Sequence, residues 1–306
     1  MRRGGGLKIG IIGVGSMGKN HARVAADLPG VRLVGVADAN PSLAEESGKH
    51  LDVPWFSDYL QLLPEVEAAV VVTPTSTHFE VAQTCLAAGK HLLVEKPLTG
   101  ASSLARTLAS QAAEKQLVLA VGMVERFNPA FQKLLKEIKG EKIIGIDIKR
   151  LSAFPERITD TDVVFDMMIH DLDLALQIFP EEIIDIKAKG EKIRTKRFDR
   201  LVTTFTHKTG TITRIEASRV FGSKSRKITV TTDRALYEAD LLEKKVYIRD
   251  FSSPTPSTVP VKSVDQLTEE QKDFITAIKS VRPPLVSGGD FIRVLELTEE
   301  VIKHAS

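Results

Sequence analysis

Cysteine is almost missing from this chain: Cys85 is the only one in 306 residues. That excludes an internal disulfide and fits a reducing compartment. Asparagine is nearly as scarce, at Asn20, Asn40 and Asn128, a composition that leans toward a thermophilic source. No apolar run reaches the length of a membrane span. The opening "MRR" would suit a twin-arginine leader. However, the apolar stretch from Leu7 is only strand-length and runs straight into a glycine motif, so cleavage there would remove part of a fold. A cytoplasmic protein is expected. Excess charge of one sign is also absent. A formal net charge of +2 gives no footprint for nucleic acid or a membrane surface, so neither is an expected partner. There is no internal repeat and no low-complexity tract. What remains is a globular mix, 42% hydrophobic and 27% charged, able to bury a core without staples.

The length suggests two domains, and the pattern changes where they would meet. In "LKIGIIGVGSMGKNHARVAADLPGVRLVGVADAN" an apolar strand, Leu7 to Ile12, precedes Gly13, Gly15 and Gly18. A helical stretch follows to about Leu28, then a second strand from Val31 to Ala37, ended by Asp38. Strand, G-x-G-x-x-G, helix, strand and acid in that order form a dinucleotide-binding fingerprint. Gly13 allows the tight turn, Gly15 lets backbone amides approach a pyrophosphate, and Gly18 permits close helix–strand packing. The helix N-terminus turns its partial positive charge on the phosphates. Asp38 would accept from both ribose hydroxyls and repel a 2′-phosphate, which favours NAD over NADP. A glycine-rich turn without function is the plainer alternative.

The alternation continues through "AAVVVTPTSTHFEVAQTCLAAGK", "HLLVE", "ASSLARTLASQAAEKQ" and "LVLAVGM". It predicts a doubly wound parallel sheet of the Rossmann type over residues 1–122. Ligands of such sheets bind at the carboxyl ends of the strands. Gly13 to Gly18, Asp38, Thr73 to Thr75 and Glu95 to Pro97 all fall at such ends. Lys96 therefore sits where a nicotinamide ring could reach. From about residue 140 the strands become longer and successive, with turns at "HKTG", "TDRA" and "LLEK". The stretch "SSPTPSTVP" reads as a surface loop, and helices return at about Leu267–Ser280 and Gly289–His304. Residues 123–306 thus predict an α+β domain with a large, mostly antiparallel open sheet, whose last helix could pack back on the first domain.

One segment here stands out. "TDVVFDMMIHDLDLALQIF", residues 161–179, predicts a helix apolar nearly all round and buried. Its polar residues Asp162, Asp166, His170, Asp173 and Gln177 fall on one stripe, which must face a cleft, water or internal partners. His170 titrates near neutrality and could exchange a hydroxyl proton, with Asp166 one turn earlier fixing its tautomer. A purely structural stripe is the competing account. No cysteine or histidine lies at a spacing that would complete a zinc site, so no metal is expected.

Together "GVGSMG", Asp38, "TPTSTH", "EKP" and "DMMIHDLDL" resemble the glucose–fructose oxidoreductase / inositol dehydrogenase / rhizopine catabolism family over essentially the whole chain. The resemblance implies that Lys96, Asp166 and His170 act on a sugar-like substrate. It implies a cofactor set of Gly13, Gly15, Ser16, Met17, Gly18, Asp38, Thr73, Pro74, Thr75, His78, Glu95 and Lys96. It also implies an open sheet whose outer face builds a homodimer or homotetramer. "VERFNPAF" with "FDMMIHDLDL" is most similar to the branch that oxidises UDP-N-acetylglucosamine at its 3-hydroxyl. Arg126, Asn128, Arg150 and Arg157 are then candidates for contacting substrate, or else surface or salt-bridged residues. Val163, Val164 and Phe165 depart from the family, which often has small residues before that aspartate. An inositol or free-sugar dehydrogenase, a reductase, and a non-catalytic dinucleotide-binding regulator are the alternatives.

Overall fold

The computed structural model describes residues 6–155 and 161–305. Arg157 lies outside them. The chain divides into two compact units, Met1–Val124 with Asp265–Arg293, and Glu125–Val264 with Val294–Ser306.

The first unit runs β1 (Leu7–Ile12), α1 (Ser16–Asp27), β2 (Val31–Ala37), α2 (Pro41–Leu51), β3 (Trp55–Phe56), β4 (Ala68–Val71), α3 (Thr75–Ala87), β5 (His91–Glu95), α4 (Ser102–Glu114) and β6 (Leu119–Gly122). Its sheet has the order β3-β2-β1-β4-β5-β6, with every pairing parallel. Strands covered on both faces need uninterrupted apolar runs, and β4 and β6 are buried at every position. The order reverses between β1 and β4, which opens the crevice where doubly wound sheets take their ligands. Register pairs Ile12 with Val71 and Val71 with Val94. The segments after β1, β4 and β5 therefore leave the sheet side by side on one rim.

The second unit comprises α5 (Pro129–Glu137), β7 (Ile143–Leu151), α6 (Ile169–Ile178), β8 (Ile183–Glu191), β9 (Arg200–His207), β10 (Ile212–Ser218), β11 (Ser225–Thr232), β12 (Ala235–Asp240), β13 (Lys245–Asp250) and β14 (Ser257–Val259). The sheet order is β14-β13-β12-β11-β7-β10-β9-β8. Only β7 and β10 pair in parallel, so the sheet is mostly antiparallel, as the sequence predicts. Inward positions such as Ile146, Ile148, Phe205, Ile215, Ile228 and Val230 are buried. The alternate positions carry charges linked across strands. Arg200 bonds Glu191 and Glu216, Arg214 bonds Asp147 and Glu216, and Lys227 bonds Glu238.

Two expectations change. "SSPTPSTVP" is not wholly a loop, because Ser257–Val259 pairs with β13 as an edge strand. The helix expected over 161–179 is not uniform. It opens with one wide turn, Val164–Met168, in which the Ile169 N–H reaches back to the Val164 carbonyl, before α6 proper. The chain then closes with α7 (Gln266–Lys279), which belongs to the first unit and contributes Phe274 and Ile275 to its core. α8 (Gly288–Ala305) follows.

Candidate active site

The glycine turn shows which of its glycines the protein needs for itself. Gly13 has a positive φ of +90°, and a Cβ there would lie 2.7 Å from the Val72 carbonyl group. A Cβ on Gly18 would lie 1.9 Å from the Gly13 oxygen. Both are fixed by the fold. Gly15 is different. Its φ of −64° suits any residue, and a Cβ would meet nothing within 4 Å. The open space beside it leaves room for a ligand's phosphates to approach. No side chain caps α1 at this end, so its first N–H groups, at Ser16, Met17 and Gly18, are available to an anion. Residues and geometry fit a dinucleotide.

Asp38 has contacts of its own within the fold. Its Oδ2 accepts from the Val14 N–H at 2.8 Å, and its Oδ1 accepts from the Asn40 N–H. The acid at the end of β2 thus clamps the phosphate turn at the end of β1.

Thr73, Pro74 and Thr75 follow β4 on the same rim. His78, on α3, makes contacts within the protein. It is buried, with Nδ1 2.8 Å from the Pro97 oxygen and Nε2 2.8 Å from the Thr73 oxygen. Each ring nitrogen lies against a carbonyl oxygen, one from the segment after β4 and one from the segment after β5, and a neutral ring donates to one of the two.

At the end of β5 the carboxylate next to Lys96 has an internal task. Glu95 is 8% exposed, accepts from His21 Nε2 at 2.9 Å through Oε1, and accepts from the Lys96 backbone N–H at 3.0 Å through Oε2. Lys96 itself is half-buried and precedes Pro97 through a cis peptide bond. Adjacent charges at the end of a buried strand are thus explained: one anchors the turn, and the other is carried by it. Cys85 takes no part in chemistry here, since burial pushes its thiol up to about 12 and keeps it from the reactive thiolate form.

In the second unit, Asp166 lies on the wide turn and His170 at the start of α6, both half-buried. Wide turns of this kind occur often at functional sites. The rest of the expected stripe has other occupations. Asp162 accepts from the Phe198 N–H, Gln177 is exposed, and Asp173 is fully buried. Asp173 explains Arg126, which is 5% exposed and donates to it from Nε and Nη2 at 2.7 and 2.8 Å. Arg150 stands in the same relation to Asp171, with Nε 2.9 Å from both carboxylate oxygens, and also donates to Glu125. Burial alone would raise Glu125, yet Arg150 and Arg226 hold it below the ordinary carboxylate value. Asn128 caps α5 through the Ala130 N–H and donates to Glu125 and to the Leu241 oxygen. Of the two roles the sequence left open for Arg126, Asn128 and Arg150, these contacts match the salt-bridged one. Two buried aspartates on α6 require countercharges, and these side chains supply or support them.

A phosphate-ready turn, an acid at the end of β2 and a lysine at the end of β5, on the rim of one parallel sheet, define a dinucleotide-dependent oxidoreductase. Residues 7–123 match the oxidoreductase family described as having an NAD-binding Rossmann fold, and residues 150–238 match the GFO/IDH/MocA C-terminal domain. A UDP-N-acetylglucosamine 3-dehydrogenase of Acidithiobacillus ferrooxidans is 35% identical over 96% of this chain and 96% of its own length. A solved structure of that enzyme matches with a TM-score of 0.92 at 34% identity, covering 98% of this chain and 97% of its own. A myo-inositol 2-dehydrogenase of Thermotoga maritima is 26% identical over 93% of this chain and 92% of its own length. The chain belongs to the Gfo/Idh/MocA family of oxidoreductases, and its cofactor is NAD. Among the described residues, no helix is long and apolar enough to cross a membrane.

The role of Gly15 gives a direct expectation. Gly15→Ala leaves stability within about 0.5 kcal/mol of the parent, because its methyl group enters open space. It should weaken NAD binding at least about tenfold, because the methyl group would take up space that a pyrophosphate against this turn needs. Calorimetric titration with NAD beside a thermal melt checks both. Unchanged affinity would mean that the phosphates lie elsewhere.

Proposed function

We propose that the protein oxidises a secondary alcohol of a sugar nucleotide, with UDP-N-acetylglucosamine, at its 3-hydroxyl, as substrate. The observation that carries this reading is the 35% identity to an enzyme of that name over 96% of both chains. In this reading Lys96, Asp166 and His170 are the working side chains. The Lys96 ammonium donates to the reacting oxygen and stabilises its developing negative charge. His170 takes the hydroxyl proton as general base. Asp166 orients the imidazole and stabilises its cationic form. NAD, when bound, supplies the hydride acceptor. The anchoring of Glu95 by His21, and of the Lys96 N–H by Glu95, supports the lysine's part, since a group that must meet one atom needs a rigid mount.

Incubating the purified protein with NAD and a panel of UDP-sugars, free hexoses and inositols, while following NADH absorbance, tests this. NADH formed with UDP-N-acetylglucosamine alone is the expected result. A signal confined to inositols would favour the second reading, an inositol dehydrogenase, for which the 26% identity to the Thermotoga maritima enzyme speaks. NAD binding without turnover on any of them would point to a regulator.

The outer face of the second unit's sheet bears on assembly. Its interleaved arginines and carboxylates put both signs of charge on one face, which is compatible with a homodimer or homotetramer built on it. Sedimentation equilibrium should return at least twice the chain mass; a single-chain mass would rule this assembly out.

A further inference from the structure

The first unit contains a buried group of three titratable side chains of which the reaction uses none directly. His21 on α1, Glu95 on β5 and Glu270 on α7 each bring one polar atom to within 4.8 Å of the others. Glu270 is 2% exposed, and neither of its carboxyl oxygens has a hydrogen-bond donor. Three such groups suggest a cation site, but His21 argues against one. Gln271 Nε2 lies 3.0 Å from the His21 backbone oxygen, which identifies that end of the amide as the NH₂ donor. The same nitrogen lies 3.0 Å from His21 Nδ1, so Nδ1 must accept. The ring proton is then on Nε2, where it is donated to Glu95. A neutral imidazole with both nitrogens engaged offers a metal no lone pair and cancels neither carboxylate.

Two ionised carboxylates this close, out of water, are not sustainable. Glu95 already accepts from His21 and from the Lys96 N–H, so it is the one held charged. Glu270, which accepts from nothing, is the one that keeps a proton. The other charged group facing it is Asp273 on its own helix, itself bonded to Arg282. Burial first, then Glu95 and Asp273, raise the Glu270 carboxyl well above its ordinary value.

We propose that Glu270 is a positioning residue: a neutral carboxylic acid whose O–H is donated to Glu95, fixing the carboxylate that anchors the Lys96 turn. The proposal rests on the reading of Lys96 as a working residue. Glu270→Gln keeps a neutral donor of the same shape, while Glu270→Ala removes it.

Three measurements on the full chain test it. The first is the difference in melting temperature between the parent and Glu270→Gln across about pH 5 to 9. A carboxyl raised on folding holds a proton that the unfolded chain releases, so the parent should lose stability relative to the glutamine variant as pH rises. A difference that stays flat over this range would mean a Glu270 already ionised in the folded chain, with no proton to lose, and would overturn the proposal. Secondly, infrared difference spectra of parent minus Glu270→Gln should show a protonated-carboxyl band at neutral pH; its absence overturns the proposal. The third is kinetic. Glu270→Ala should lower kcat about tenfold or more with KM for NAD little moved, and Glu270→Gln should restore it to within about threefold. Parent-like kcat in Glu270→Ala, or an equal loss in both variants, removes the positioning role. The first two readouts do not involve turnover. A fully active Lys96→Ala enzyme would therefore defeat the catalytic reading while leaving the state of Glu270 to be read independently.

Discussion

Lys96→Ala lowers kcat by about 10²–10³, the scale of losing one preorganised donor to a developing oxyanion. The Kd for NAD moves by less than about threefold, or under about 0.7 kcal/mol. The asymmetry follows from how the turn is held. The backbone of Lys96 is anchored by Glu95 through its N–H, Glu95 by His21, and the Pro97 oxygen by His78. None of these contacts uses the lysine side chain. Truncation therefore removes the ammonium and leaves its mount, so the cofactor rim should keep its shape. Turnover with saturating NAD and UDP-N-acetylglucosamine, paired with calorimetric NAD binding, separates the two effects. A variant keeping more than about a tenth of the parent kcat would show that charge at the oxygen is stabilised by another group.

Arg150→Met should destabilise the second unit by about 3–5 kcal/mol, the usual consequence of removing one member of a buried charge network. Arg150 is 3% exposed and faces Asp171, at 1%, and Glu125, at 2%. Methionine fills much of the same space but leaves both carboxylates short of a cation. The loss should shrink on acidification. Without Arg150 the two acids are raised, so they bind protons in the folded state that the unfolded chain has released, and stability falls as pH rises through those folded values. Adding Asp171→Asn to Arg150→Met should recover part of the loss, since a neutral amide needs no counterion. Probes can separate the units, because the single tryptophan, Trp55, belongs to the first. Far-UV circular dichroism should report an early transition in Arg150→Met that Trp55 fluorescence does not share. Parent-like stability with impaired sugar turnover would instead return Arg150 to the substrate.

Arg150 also shows where reading the sequence stops. The glycine turn, Asp38 and the strand-end lysine were legible because each depends on a short run of chain: a tight turn, a helix start, a proline. The alternating strands β9 to β13 were legible because one face is apolar and the other charged. The arginines were not, because their partners are remote. Arg126 meets Asp173 47 residues on, and Arg150 meets Asp171 21 residues on; nothing local distinguishes such a pair from two residues awaiting a phosphate. The contacts of His78 were hidden for a related reason, since its ring lies against the Pro97 carbonyl 19 residues away. Glu270 was illegible altogether: nothing near it in the chain marks it as buried, and its neighbour Gln271 reaches His21 across 250 residues of sequence. β14 was concealed by the prolines that flank it, Pro256 and Pro260, which are expected at a sheet edge as readily as in a loop.

The clamp that Asp38 places on Val14 bears on anyone wishing to retune cofactor choice. Exchanging an acid at this position for a small or basic residue is the obvious route to a phosphorylated ribose. Here the same carboxylate also braces the glycine loop after β1, so the exchange should loosen that loop, and with it binding of either cofactor, as well as shifting the preference between them. A successful redesign must give the Val14 amide a new acceptor at the same time as it gives the ribose a new neighbour.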